Sequence, residues 1–164
     1  MPSPSFWNAS VVILEKKIRG VSAASLARFA GRAQRAAGLR GRVSILVTGS
    51  AELRRLNRRY RGKDKATDVL SFTANGVRAS RPHLQMAGDI AISAEVAAEN
   101  ARHFGHSPAA EVEILILHGL LHLAGLDHER DRGQMSHREE KLRRRLGLPG
   151  SLTERSSPAA GRKS

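Results

Sequence analysis

The segment HGLLHLAGLDH, residues 118–128, holds the residues of this chain best suited to chemistry. His118 and His122 are four apart, so a helix puts both imidazoles on one face, one turn apart, close enough to share a metal ion. Gly125 can end that helix in a positive-φ turn, after which His128 can approach the same point. Three neutral imidazoles leave a fourth coordination position open to water, the layout of a catalytic zinc site rather than a purely structural one. The alternative is a set of partly buried histidines satisfied by backbone carbonyls. With 7 histidines and 15 glycines among 164 residues, chance places this pattern in roughly one such chain in a thousand, which favours the metal.

The spacing matches the zinc-peptidase arrangement H-E-x-x-H-x-x-G-x-x-H at every ligand and at the glycine, but Gly119 stands where those enzymes carry glutamate. That glutamate is their general base, so a peptidase reading lacks its proton acceptor. Without a side chain, Gly119 is expected to open room beside the metal for a bulky substrate or its phosphate. Asp127 could orient a ligand or take a proton, and capping a turn or supporting a ligand from behind is the role expected of it. Glu111 and Glu113, early in the histidine helix, suit its positive dipole end.

The surrounding elements follow from periodicity and punctuation. Short strands are expected at Val11–Leu14, Val43–Thr48, Val69–Phe72 and Asp89–Ile92. One helix starts at Ser22 or Ser25, buries Leu26, Phe29, Ala30 and Ala33, and stops at Gly38. A second, capped by Ser50, carries Leu53, Leu56 and Tyr60 inward. A third follows Ser93 and ends near Gly105. Ser107-Pro108 opens the histidine helix, which is apolar nearly all round and should be the most buried. A last helix runs from about Gly133 to Leu146. Strands and helices that do not strictly alternate imply an α+β fold: one small domain over residues 1–148, a four-stranded mixed sheet and about five helices. Residues 149–164 read as a disordered tail.

Lys and Arg total 28 against 15 Asp and Glu, a net charge of +13, which favours a polyanionic partner. Arg54, Arg55, Arg58, Arg59, Arg61, Lys63 and Lys65 are the best candidates for a track along such a polyanion (RNA, DNA or an anionic membrane), with Arg143, Arg144 and Arg145 as a second cluster. Six aromatic residues (four Phe, one Trp, one Tyr) are a poor basis for reading bases by stacking. There is no cysteine, which excludes disulfides, thiolate metal sites and a cysteine nucleophile. No apolar run approaches the roughly 20 residues that span a bilayer, so no membrane role and a cytoplasmic location are expected.

HGLLHLAGLDH resembles the H-G-x-L-H-L-x-G-[YH]-D-H signature of the YbeY family, bacterial endoribonucleases of rRNA maturation. LNRRYRGKDKATDVLSF (Leu56–Phe72), GDIAIS (Gly88–Ser93) and the helix after the histidines agree in order and spacing, so the likeness runs from about Val43 to Leu148. Ala66 replaces the family's usual proline and Leu126 its usual aromatic or histidine. The resemblance implies that His118, His122 and His128 bind one zinc ion. It also implies cleavage of single-stranded RNA, maturation of the 3′ end of 16S rRNA and ribosome quality control, with the ribosome as partner and no DNA substrate. It assigns Arg61 the role of a functionally important arginine. Elementary chemistry agrees, because phosphodiester hydrolysis needs an activated nucleophile and charge neutralisation, and a guanidinium grips two phosphate oxygens at once. The expectation is therefore a zinc-dependent endoribonuclease with Arg61, His118, His122 and His128 as its catalytic set. A non-catalytic zinc-containing ribosome assembly factor and, more weakly, a zinc peptidase remain as alternatives.

Overall fold

A computed structural model describes residues 10–74, 85–127 and 129–150. Its elements in chain order are β1 (Val11–Leu14), α1 (Ala23–Ala37), β2 (Arg42–Thr48), α2 (Ser50–Arg61), β3 (Val69–Thr73), β4 (Met86–Ser93), α3 (Ala94–Phe104), α4 (Pro108–Leu123) and α5 (Gln134–Leu146). The sheet order is β1-β2-β4-β3. β1, β2 and β4 run parallel, and β3 lies antiparallel to β4 at one edge. The α+β architecture, the four mixed strands and the five helices are those expected from sequence. Residues 151–164, most of the expected tail, lie outside the described residues.

Side chains alternate across the sheet, and each face is covered by its own helices. Val43, Ile45 and Val47 of β2 with Ile90 and Ile92 of β4 meet Leu26, Phe29, Ala30 and Ala33 of α1 and the apolar residues of α4 in the main core. On the opposite face Leu70 and Ala91 pack with Leu53 of α2, flanked by Leu56 and Phe72. α4 buries residues all round its circumference, including Ile114–Leu117, Leu120 and Leu121, as its sequence predicts. α5 packs against α4 and α1.

The helix ends follow local chemistry. The Ser22 hydroxyl accepts from Ser25 N in a capping box at α1, and Gly38 ends that helix in the left-handed region. The Ser93 and Ser107 side chains cap α3 and α4, with Pro108 in the first turn of α4. α2 departs from expectation. Its N-cap is Gly49, and Ser50 is the first helical residue. The capping oxygen comes from α3 instead: Ser50 N donates to Glu95 Oε2 at 2.8 Å, and the Ser50 hydroxyl bonds the same carboxylate. The two hydrogen bonds hold the Glu95 carboxyl below its ordinary value of 4.5.

Tyr60 also differs. It shares the 3.6-residue periodicity of Leu53 and Leu56, yet it is 58% exposed. β3, beside it, is the sheet edge, and Tyr60 lies against Phe72 of that strand, ring centroids 5.4 Å apart.

Candidate metal centre

α4 presents His118 and His122 as their four-residue spacing requires. Their Nε2 atoms are 3.1 Å apart, with ring centroids at 4.7 Å and planes at 77°. His118 is buried and donates its Nδ1–H to Glu139 Oε1 of α5 at 2.9 Å. Glu139 is itself buried, and its second oxygen lies 3.9 Å from the buried guanidinium of Arg143, one turn on. Arg143 in turn donates to the Pro149 carbonyl. A line of polar groups thus runs from the end of the described chain to the His118 ring. A carboxylate on Nδ1 fixes the tautomer that leaves the Nε2 lone pair unprotonated, the arrangement common behind metal-bound histidines.

The donor set fits a divalent ion. Two nitrogens at about 2.0–2.1 Å from one tetrahedral ion are about 3.3 Å from each other, close to the spacing here. After α4, Gly125 adopts φ 95°, which turns the chain away from the helix axis. Asp127 closes the turn as expected of a capping residue: its Oδ1 accepts from Glu129 N at 3.0 Å. Asp131 then accepts from Gly133 N and Met135 N, each at 2.8 Å, and starts α5. His128 falls between these anchors but lies outside the described residues. The structure therefore brings together two of the three expected ligands. Among the described residues no group of three or more His, Cys, Asp or Glu is placed to hold a metal.

Arg61, the last residue of α2, is exposed. Its guanidinium donates to the Ser71 carbonyl on β3, and the Ser71 hydroxyl donates to the Gly119 carbonyl at 3.4 Å. Arg61 is thereby tied to the sheet edge against which the histidine helix packs. Gly119 itself has a different role from the one expected. A Cβ there would lie 2.8 Å from Ile90 Cδ1 and 3.1 Å from its Cγ1 and Cγ2. The missing side chain lets α4 approach β4; it does not open space for substrate.

The charged residues also redistribute. Arg54 is paired with Asp64 at 2.8 Å and Arg55 with Glu52 at 2.6 Å, both on the exposed surface that also carries Arg58, Arg59, Lys63 and Lys65. Arg143 is withdrawn from the second cluster, being 2% exposed. Glu111 lies in the first turn of α4 but is fully buried, with His106 Nε2 at 2.8 Å from its Oε1. Burial pushes the Glu113 carboxyl up, partly countered by Arg32.

Glu139 is the site residue that sequence reasoning missed. Its signal was present: Glu139 and Arg143 share the helical stripe of Met135 and Leu142, where charged side chains are buried only with partners.

The family described as Endoribonuclease YbeY matches residues 9–147, which takes in β1 and α1 ahead of the motifs. A relative from Koribacter versatilis, described as Endoribonuclease YbeY, is 56% identical over 152 residues, covering 92% of this chain and 94% of its own. Another from Solibacter usitatus, described in the same words, is 50% identical over 131 residues, covering 80% and 84%. The solution structure of a Thermotoga maritima protein shares the fold, with a TM-score of 0.54 and 23% identity over 94% of this chain and 99% of that one.

Proposed function

The chain belongs to the Endoribonuclease YbeY family, and from that premise we propose that it is a zinc-dependent endoribonuclease that cuts single-stranded RNA in 16S rRNA 3′-end maturation and ribosome quality control. As a member of the family it is a hydrolytic, metal-dependent enzyme whose substrate is RNA. The observation that carries the zinc reading is the pair of Nε2 atoms 3.1 Å apart with buried Glu139 behind one ring.

In this reading His118, His122 and His128 hold one ion. A bound divalent ion polarises a phosphoryl oxygen and lowers the pKa of water. The protein's own residues do the rest. Glu139 keeps the proton of His118 on Nδ1 and the lone pair on Nε2. Arg61, anchored to Ser71, offers its remaining guanidinium N–H groups to the non-bridging oxygens of the scissile phosphate, where negative charge builds. Arg58, Arg59, Lys63 and Lys65 attract the flanking backbone. The apolar wall of α4 and β4 excludes water behind the histidines. A peptidase reading loses further ground, because the position of its general base packs onto Ile90. Among the described residues no helix is long and apolar enough to cross a membrane; a cytoplasmic location beside the ribosome is part of the proposal.

The test pairs metal analysis with RNA cleavage on one set of preparations: wild type, His118→Ala, His122→Ala and His128→Ala. The expected result is zinc near one ion per chain in wild type, loss in each variant, and cleavage that falls with it by at least 10²-fold. Cleavage that survives His122→Ala or thorough chelation overturns the metal-dependent reading. A wild type that holds zinc but cuts no RNA favours the assembly-factor alternative.

A further inference from the structure

Tyr60 is the only tyrosine of the chain, and more than half of its surface is open to solvent. Its ring meets Phe72 at an interplanar angle of 62°. The Arg59 guanidinium lies 5.3 Å from the Tyr60 centroid and the Arg61 guanidinium 5.6 Å from the Phe72 centroid. Two rings and two cations therefore share one patch on a molecule with few aromatics. Arg61 leads from that patch to Ser71 at the sheet edge, and Ser71 leads to Gly119, next to His118. The rings lie on the α2 side of β3 and the histidines on the α4 side, with Arg61 between them at the edge strand.

We propose that Tyr60, braced by Phe72, is a nucleobase-stacking platform that takes an unpaired base of the RNA whose neighbouring phosphate Arg61 holds. The proposal rests on the reading of the chain as an enzyme that cuts RNA, and it adds a source of strand selectivity. An aromatic face accepts any base, because every base has a π surface, so the platform does not read sequence. A base inside a duplex is already stacked on both sides and must be unstacked to reach the ring. Arg59 reinforces the platform by cation–π contact and by attraction to the backbone. A strand rounding the edge of β3 thus meets a ring, a guanidinium and the histidines in turn.

Fluorescence anisotropy on the full chain tests this, with His122→Ala in every protein so that the probe is not consumed. The probes are a labelled single-stranded RNA of about ten nucleotides and the same backbone with abasic sites. Tyr60→Ala and Tyr60→Leu are expected to weaken binding of the base-bearing probe by about 5- to 150-fold, the effect of losing one stacked base. Tyr60→Phe should retain it, and all four should bind the abasic probe alike. Equal affinity of Tyr60→Ala and the parent for the base-bearing probe overturns the platform, as does an equal loss on both probes. Wild-type cleavage, measured alongside, separates the two claims. A wild type that cuts RNA while binding is indifferent to Tyr60 rejects the platform alone, whereas a wild type that neither binds nor cuts RNA rejects the function as well.

Discussion

Glu139 and Gly119 show how single residues set the centre from behind. Removing the Nδ1 acceptor frees the His118 ring to turn and to change tautomer, so Glu139→Ala should weaken zinc binding about 10- to 100-fold, measured by competition with a chromophoric chelator. Affinity equal to wild type would remove Glu139 from the site. Gly119→Ala should lower stability by about 1–3 kcal/mol, since the methyl must displace a buried isoleucine. Chemical denaturation checks this, and Ile90→Val in the same chain should recover part of the loss. Glu113 gives the opposite sign. Its folded pKa is raised above the ordinary 4.5 by burial, so the fold disfavours the charged form. The penalty is absent at low pH, grows as pH rises from 4.5 through the raised value, and is full beyond it. Glu113→Gln should therefore be more stable than wild type at neutral pH, with the difference vanishing toward pH 4.

At the scale of elements, one carboxylate bridges α2 and α3. Glu95 caps α2 from a neighbouring helix and is held below its ordinary pKa, so its contribution is present above pH 4.5 and lost as pH falls through the lowered folded value. Glu95→Gln should lower the melting temperature at neutral pH, with wild type and variant converging in acid; an unchanged melting curve at pH 7 would deny the cap. Much at this scale was legible in the sequence. Ser22, Ser107-Pro108 and Gly38 are local signals whose meaning does not depend on distant packing. The cap of α2 was not legible, because its oxygen comes from 45 residues away. Nor was Tyr60, because helical periodicity gives the direction of a side chain but not where the sheet beneath it ends. Gly119 was misread for a related reason: a helix apolar all round does not say which side faces the sheet.

Across the whole molecule, the meeting of His118 and His122 was readable because the two lie four apart on one helix, whereas the Glu139 support from α5 and the pairing of the surface cations depend on tertiary contacts. The +13 charge overstates the track, since Arg54 and Arg55 are engaged with carboxylates and Arg143 is buried. If Arg58, Arg59, Arg61, Lys63 and Lys65 each meet one phosphate, log K for single-stranded RNA should fall with log salt at a slope of about −3 to −4. A slope near zero would show that the charge serves no backbone contact.

X-ray absorption at the zinc edge, on the full chain loaded with one equivalent, tests the central claim most directly. The account predicts three imidazole nitrogens at about 2.0–2.1 Å and one oxygen at about 2.0–2.2 Å, with one nitrogen lost in His128→Ala. A shell without three imidazoles, or one unchanged by that substitution, would contradict it.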